Sequence, residues 1–358
     1  AELNADAFLS ASKDITEDIS IDALVGAAYR NNKYDKIGIG GGPFVIPFFY
    51  SPLNVTSFSR SYAYQEKETH SAYYSLDIAF KKMFTLSTTG RYDAFSTLPT
   101  NNTGIFTPSV SLSADITELA KIKDLSYGKV RASYAVVSGE PVNPYTTQQY
   151  YSVGSSIQGI TTGSFSSTLP NLFLKPYTLT EMEFGTELKF FQNRLGIDIA
   201  YFNRKTKNEI INGSLSDATG FTGQYIGTGS TQNSGIELML SGTPIQTADF
   251  TWKTSFNLTS VANKILDISG TDAETEQLSL GTYRPLNANT ALVKGMAGPQ
   301  IMAYDYVRDA NGKIVVDATG IPVQAATRTA MGSVLPKLYG GFNNEFSFKG
   351  FNFAFLFD

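Results

Sequence analysis

The sequence predicts an all-β protein, an antiparallel transmembrane β-barrel to which this chain contributes about twelve strands. Apolar and polar residues alternate over most of the chain, and the connections between the alternating segments are by turns short and long. The segments are also long, at about ten to thirteen residues or more, whereas strands of soluble sandwiches have about five or six. About nine to eleven tilted residues cross a bilayer, so these segments are long enough to span one.

The predicted strands are the segments in which apolar residues recur at every second position, because successive side chains of a strand point to opposite faces. No convincing amphipathic helix accompanies them. In chain order the strands lie near 2–12, 19–30, 59–80, 84–95, 105–117, 127–137, 181–191, 195–205, 234–243, 250–262, 337–348 and 351–358.

The clearest hairpin lies within 181–205. Phe184 and Leu188 share one face of its first strand, and Glu183 and Glu187 share the other. A face that carries several charges needs water, whereas the opposite face suits hydrocarbon. The hairpin therefore predicts a lipid-facing side and a wet, lumen-facing side.

The connections between the predicted strands separate into two groups. Short connections lie near 13–18, 81–83, 118–126, 192–194, 244–249 and 349–350, and long ones near 31–58, 96–104, 138–180, 206–233 and 263–336. Because consecutive strands run antiparallel, each group lies on its own rim, as in outer-membrane barrels. We expect residues 1–358 to be part of a single transmembrane barrel domain, with long external loops near 31–58, 138–180, 206–233 and 263–336. A secreted sandwich or a β-solenoid is the alternative.

Composition excludes several other classes of protein. The chain has no cysteine, which excludes disulfide frameworks, thiolate zinc sites and cysteine nucleophiles. Its net charge is −4 and its pI is near 5.2, so it lacks the basic field that nucleic-acid binding requires, and we expect no nucleic acid among its partners. No segment approaches the 18 apolar residues of a membrane-spanning helix.

The two ends of the chain lead us to expect a piece of a longer polypeptide. The first residues, AELNADAFLS, already alternate and carry no export signal, and the last, FNFAFLFD, stop inside a strand pattern.

Catalytic chemistry has little support, and we predict no catalytic residue and no enzyme. His70 is the single histidine, lies inside a strand pattern, and is expected to be a structural or lumen-facing side chain. Glu181, Glu183 and Glu187 line one face of one strand, which favours a solvated wall beside Lys189 over an acid–base pair, because glycosidase carboxylates face each other across a cleft.

A metal site is equally weakly indicated. Asp309, Asn311 and Asp317 lie around an Asn-Gly turn within 308–320, a stretch that lacks the twelve-residue spacing and terminal glutamate of a calcium loop. We interpret it as a plain external hairpin. The expected cofactor is none, with Ca²⁺ in the external loops as the alternative.

Aromatic residues of the long connections are the better candidates for binding. Aromatic rings that stack and hydroxyl groups that donate hydrogen bonds bind uncharged polar polymers. The candidate substrate-binding residues are Tyr145, Tyr150, Tyr151, Tyr177, Tyr225, Tyr283 and Tyr304. The Gly-rich stretch 38–52 lacks the ending of a phosphate-binding loop and is interpreted as an external loop that exposes apolar Phe44, Ile46, Phe48 and Phe49.

Four stretches match the patterns of one known family, in the right order. They are KVRASYAVVSGEPVNPY (129–145), LKPYTLTEMEFGTELKFFQNRLGIDIAYFNRKTKNEII (174–211), TGFTGQYIGTGSTQNSGIELMLSGTPI (219–245) and SVLPKLYGGFNNEFSFKGFNFAFLFD (333–358). The third is carried by Gly220, Phe221, Gly227, Asn233, Gly235 and Glu237. In the first, Ala135 and Val136 depart from the usual glycine. On these residues, region 105–358 resembles the SusC/RagA-type TonB-linked (TonB-dependent) outer-membrane transporters of Bacteroidota.

This resemblance implies a position, a location and a function. The family's barrels have 22 strands around an N-terminal plug, so the chain would be the middle portion of the barrel, with plug and TonB box upstream and the last strands downstream. It implies the outer membrane of a Gram-negative bacterium, contact with outer-membrane lipids, and active import of a large nutrient, either an oligosaccharide or a peptide. The implied partners are a SusD-like surface lipoprotein and a TonB-type energy transducer. A passive porin and a surface-exposed β-scaffold adhesin are the alternatives.

Overall fold

The computed structural model describes residues 1–120, 122–139, 143–215, 217–268, 277–283 and 287–358. Over these ranges the chain is almost entirely strand, with one short α-helix, α1 (Thr117–Ala120), and a 3-10 turn at Asp217–Thr219. None of the described helices is long and apolar enough to cross a membrane.

The described strands number nineteen in chain order. They are β1 (Glu2–Asp14), β2 (Ile19–Gly41), β3 (Phe58–Phe80), β4 (Phe84–Phe95), β5 (Gly104–Asp115), β6 (Leu125–Ser138), β7 (Tyr151–Ile157), β8 (Ile160–Phe165), β9 (Thr168–Leu169), β10 (Thr178–Phe190), β11 (Leu195–Ser214), β12 (Gly223–Gln246), β13 (Phe250–Asp267), β14 (Gln277–Tyr283), β15 (Ala288–Val293), β16 (Gln300–Tyr306), β17 (Gln324–Ser333), β18 (Leu338–Phe348) and β19 (Phe351–Phe357).

The main sheet contains thirteen of these strands, and twelve of them pair antiparallel, each with the next, in the order β1 to β6, β10 to β13, β18 and β19. The twelve predicted strands correspond to these twelve. The other strands lie within two of the long connections: β7 pairs with β8, β14 to β17 form a four-stranded sheet, and β9 adds to the edge of β12 in parallel.

Several strands are longer than the sequence predicts. The segment 206–233, expected to be a loop, is mostly strand, because the pairing of β11 with β12 continues from Leu195↔Gly242 up to Ser214↔Gly223. β2 likewise continues to Gly41. These extensions are rich in Gly, Thr and Asn. They lack apolar alternation because neither of their faces needs to be apolar. Backbone pairing continues there without a pattern that periodicity can detect.

The short connections share one rim of the sheet, called the short-turn rim. Tight turns lie at 15–18, 81–83, 191–194, 247–249 and 349–350, and the connection between β5 and β6 contains α1. Lys349 and Gly350, with φ of 42° and 90°, take the left-handed conformation that matches a two-residue hairpin turn to the twist of its strands. Lys81 and Lys82, in the three-residue connection 81–83, take it with φ of 53° and 54°. The long connections share the opposite rim, called the long-connection rim.

The register gives the main sheet two chemically different faces. Along one row, Leu188, Ile197, Leu240, Phe256 and Phe342 lie side by side across five strands. The adjacent row on the other face carries Lys129, Glu187 and Asp198. The first side, the outer face, is apolar, and the second, the inner face, is polar. The two chemically different faces predicted for the hairpin therefore continue across the neighbouring strands of the sheet.

An aromatic cluster covers the outer face near the short-turn rim. The indole Nε1 of Trp252 donates to Asn344 Oδ1 at 3.0 Å, and its ring stacks on Phe346 at a centroid distance of 5.8 Å. Phe353 and Phe355 extend the cluster onto β19. Trp and other aromatics at this height are typical of the girdle at a membrane–water interface.

Placing one lysine on each face tests this assignment. We expect Ile199→Lys, on the outer face, to destabilise the folded barrel by about 2–4 kcal/mol, because the ammonium is placed in hydrocarbon. Ser111→Lys, on the inner face, is the matched control and should change stability by no more than about 0.5 kcal/mol. Denaturant titration of the protein folded into lipid vesicles measures both, and equal costs would contradict the assignment of faces.

Candidate functional site

The inner face is organised around one arginine that joins three strands. Arg131 on β6 donates from Nε to Glu183 Oε1 of β10 at 3.0 Å, and from Nη2 to Asp198 Oδ1 of β11 at 3.0 Å. The three side chains are about a third exposed, so the ion pairs are wet but not fully screened. We call these three residues the inner-wall cluster.

A glycine makes room for this cluster. Gly185 of β10 lies opposite Arg131 in the register, and the guanidinium lies directly above it. A Cβ atom at Gly185 would be 2.6 Å from Arg131 Cζ and 2.7 Å from Nε, so any side chain here would force the guanidinium to move. Gly185 therefore allows Arg131 to lie flat across β10 and reach both carboxylates.

Other ion pairs continue along the inner face. Arg204 holds Glu181 with two hydrogen bonds of 2.7 and 3.1 Å, and the Lys189 ammonium lies 2.9 Å from Glu187. Glu181, Glu183 and Glu187 are thus each joined to a different cation, which fits a solvated wall and not an acid–base pair. Further along, Arg91 binds Asp93 at 2.7 Å. The cations of these pairs each hold at least one carboxylate, whereas Asp22 and Asp77 lie opposite each other in the same row as Glu183, so the wall is polar and carries charges of both signs.

Three of the candidate tyrosines are exposed on the long-connection side. Tyr150 and Tyr151 are largely open to solvent, and the Tyr151 ring packs on Phe165 at 4.0 Å within the β7–β8 hairpin. Tyr145 is also exposed and accepts a hydrogen bond from the Glu66 backbone N–H at 3.3 Å. These rings retain open surface for a ligand.

The other candidate tyrosines have partners within the fold or lie outside the described part. Tyr225 packs against the buried cluster of Phe95, Leu98 and Leu174. Tyr177 lies over Gly139, and Tyr304 lies under the Arg328 guanidinium at 5.3 Å. The Tyr283 side chain falls outside the described residues. The seven tyrosines thus do not form one group.

The candidate calcium stretch consists of two successive turns of the same design and not of one hairpin. Asp309 Oδ1 accepts the backbone N–H groups of Asn311 and Lys313, both at 2.9 Å. Eight residues later, Asp317 Oδ1 accepts those of Thr319 and Ile321 at 2.8 and 3.0 Å. The Asp-Ala-x-Gly pattern that begins each turn supplies both the side-chain cap and a left-handed glycine.

The carboxylates of these two turns are used by the backbone. The Thr319 hydroxyl, followed by the backbone N–H groups of Ile321 and Thr319, holds the pKa of Asp317 below its ordinary value. Over the described residues, no group of three or more His, Cys, Asp or Glu side chains converges as metal ligands. The geometry at Asp309, Asn311 and Asp317 is accounted for by turn formation.

His70 lies on the outer face and not toward the lumen. It is paired with Tyr29 in the register, with a ring distance of 5.1 Å, and its Nε2 lies 3.5 Å from Glu68 Oε2. These polar partners lie on the outer face above the apolar rows, toward the long-connection rim.

The connection 42–57 presents apolar side chains to solvent. Phe48 is 86% exposed, and its φ of 65° is unusual for a bulky residue. Asn54, only 7% exposed, holds this conformation: its Oδ1 accepts the Ile46 N–H, and its Nδ2 donates to the carbonyls of Ile46 and Phe49. We call residues 42–57 the Phe48 loop; it keeps an aromatic ring fixed in an open position.

Sequence reasoning did not identify Arg131, Gly185 or Asn54 as organising residues. Arg131 and Gly185 lie in the quoted family-like stretches. The sequence of β10 alone, however, does not indicate that Arg131 of the neighbouring strand β6 lies across it. The available signal was a glycine interrupting a row of acids on the inner face. Asn54 had no such signal, because its partners are backbone groups of a loop.

Comparisons with a family profile and with known proteins point to the same family. Residues 3–329 match the profile described as TonB dependent receptor-like, beta-barrel. The TonB-dependent receptors P26 and P39 of Formosa agariphila are 28% and 24% identical over 79% and 98% of this chain. The TonB-dependent receptor SusC of Bacteroides thetaiotaomicron is 26% identical over 82% of it. The chain spans 30%, 38% and 31% of the lengths of P26, P39 and SusC.

Solved structures share the fold. The RagAB peptide transporter superposes with a TM-score of 0.83 at 22% identity, over 99% of this chain and 40% of that one. The outer membrane transporter YddB of Escherichia coli gives 0.52 at 14% identity, over 98% and 48%. These relatives and neighbours are receptors and transporters and not enzymes, as expected from the sequence.

A double-mutant cycle tests the role of Gly185. We expect Gly185→Val to lower stability by about 1–3 kcal/mol, because its side chain displaces the Arg131 guanidinium from two carboxylates. In an Arg131→Ala background the same substitution should cost clearly less, since the clash is gone. Unfolding midpoints of the four proteins give the coupling energy, and a cost independent of Arg131 would refute the role assigned to Gly185.

Proposed function

This chain belongs to the TonB dependent receptor-like β-barrel family, and from that premise we propose that the whole protein actively imports a large nutrient across the outer membrane. Family membership, with SusC among the relatives, confirms the predicted SusC/RagA-type antiparallel barrel and its outer-membrane location in Bacteroidota. The imported solute, its partners and the energy source are parts of the proposal.

The observation that carries the proposal is the inner wall. Arg131, Glu183 and Asp198 form a cluster of paired charges on a polar surface, on the reverse of a face that is apolar. Such a wall supports passage of a hydrated, polar solute. Oligosaccharides and peptides are solutes of this kind, and the exposed rings of Tyr145, Tyr150 and Tyr151 suit either of them.

The energy source follows from the family. TonB-dependent receptors are named for an energy transducer, so we propose that a TonB-type protein acts on a segment outside this chain. A passive porin is the competing function. A surface adhesin on a β scaffold is the third candidate, and it would require no transport.

The Phe48 loop supports a partner on the long-connection rim. Phe48, Phe49 and Leu53 are exposed together on a loop that Asn54 keeps ordered. Exposed apolar groups on an ordered surface mark protein contacts. We propose that a SusD-like surface lipoprotein covers this rim, as the resemblance to SusC implies.

Uptake assays separate the three candidate functions. Labelled oligosaccharides and labelled peptides are supplied to cells with and without this gene, in strains with and without the TonB-type transducer. Active import predicts that one substrate class accumulates only in cells that have both this gene and the TonB-type transducer. Accumulation without the transducer, together with an open channel in planar bilayers, would favour the porin. Surface binding without accumulation would favour the adhesin.

A pull-down tests the partner surface. We expect Phe48→Ala to weaken co-purification of the SusD-like lipoprotein, because it removes an exposed ring that the loop holds in place. Asn54→Ala should do the same by releasing the loop. Leu9→Ala removes a similarly exposed apolar group from the outer face and should leave the complex intact. Unchanged recovery with both loop variants would exclude this loop as the contact.

A further inference from the structure

We propose that the outer face carries a binding groove for a glycerophospholipid with an anionic headgroup. The groove has a volume of about 570 Å³ and begins at the short-turn rim between β11 and β13. Its apolar lining is provided by Phe191, Leu195, Leu240, Pro244, Phe256 and Phe342. Arg194 lies at its end on the rim, and we call the whole feature the Arg194 groove.

The groove exists because one side chain is missing from the apolar surface. Gly242 lies beside Leu195 in the register, in a row that continues to Thr254. A Cβ at Gly242 would meet only Arg194 O at 3.5 Å and Pro244 Cδ at 4.0 Å, so the space above it is open. A register shift between Gly242 and Ile245 bends β12 at the same place. The depression is therefore part of the strand geometry.

Arg194 differs from the arginines of the inner wall in its partners. Its Nε donates to Thr243 O at 3.2 Å, and its Nη2 donates to Thr243 O and Pro244 O at 3.2 and 2.9 Å. Arg131 and Arg204, in contrast, hold carboxylates. Within the described part of the chain, no carboxylate lies within 4.0 Å of Arg194 and its Nη1 makes no hydrogen bond. Its charge is fixed in place by carbonyls and remains open to an anion.

The position of Arg194 on the short-turn rim indicates which anion it binds. The short turns of outer-membrane barrels lie on the periplasmic side, where the headgroups of the inner leaflet meet the protein. A guanidinium is matched in shape and charge to a phosphate oxygen pair. Acyl chains in the apolar groove and a phosphodiester at Arg194 satisfy both parts of the site at once.

A second outer-face groove shows what is special about this one. It has a similar volume of about 560 Å³ and an apolar lining that includes Leu112, Phe184 and Ile199. Arg131 borders this groove along β6, but its guanidinium lies on the inner face, engaged with Glu183 and Asp198. That groove offers acyl chains a place but no open cation, so it provides a control for lipid contact that does not depend on the headgroup.

Native mass spectrometry of the detergent-purified protein tests the proposal. Phosphatidylglycerol and phosphatidylcholine with identical acyl chains are added in competition, and the ratio of bound anionic to bound zwitterionic lipid is measured. We expect the protein to prefer phosphatidylglycerol and Arg194→Gln to lower that ratio about tenfold, as loss of a charge-assisted contact predicts. Lys82→Gln removes a positive charge from another short turn and should leave the ratio unchanged.

Filling the groove provides a second, independent test. Gly242→Leu places a side chain in the open space while Arg194 stays, and it should reduce binding of both lipids at the site. Because the headgroup ratio is measured within each variant, a lower yield of folded protein does not imitate the Arg194 effect. Equal ratios in the unmodified protein and Arg194→Gln, or unchanged lipid occupancy in Gly242→Leu, would overturn the proposal, whatever nutrient the protein imports.

Discussion

The pairing register of the backbone is the constraint on which the rest of the structure depends. In hydrocarbon each backbone N–H and C=O needs a partner inside the sheet, so neighbouring strands are locked together residue by residue. Since side chains alternate with a period of two, a slip of one residue would exchange all lipid-facing and water-facing groups of a strand. The rows from Leu188 to Phe342 and from Lys129 to Asp198 follow from that single choice.

The inner-wall cluster is a second constraint on the pairing register. Arg131, Glu183 and Asp198 come from three strands and meet only when Gly185 lies directly under the guanidinium. A one-residue shift of β10 would bring Thr186 or Phe184 to that position and turn Glu183 toward lipid. The polar lining on which the proposed import depends thus also specifies how these strands align.

Strands could be predicted from the sequence only where one face of the sheet contacts water and the other does not. Within the membrane zone, one wet face and one dry face impose alternation, and the twelve antiparallel strands of the main sheet were predicted for that reason. Beyond it both faces are wet, so the far ends of β2, β11 and β12 and the small sheet β14 to β17 had no periodic signal. The site was harder still, because Arg131 and Gly185 are 54 positions apart along the chain and adjacent only through the register.

The paired turns at Asp309 and Asp317 bear on how the long-connection rim could diversify in evolution. Each eight-residue unit closes on itself, and backbone bonds link Val307 to Val323, Val315 to Val307 and Val323 to Val315 in a ring. Each turn is capped by its own aspartate and glycine, and the ring of backbone bonds holds the two units together. Duplication or deletion of whole units would alter the length of an external loop in fixed steps, while the membrane-embedded wall keeps its alignment.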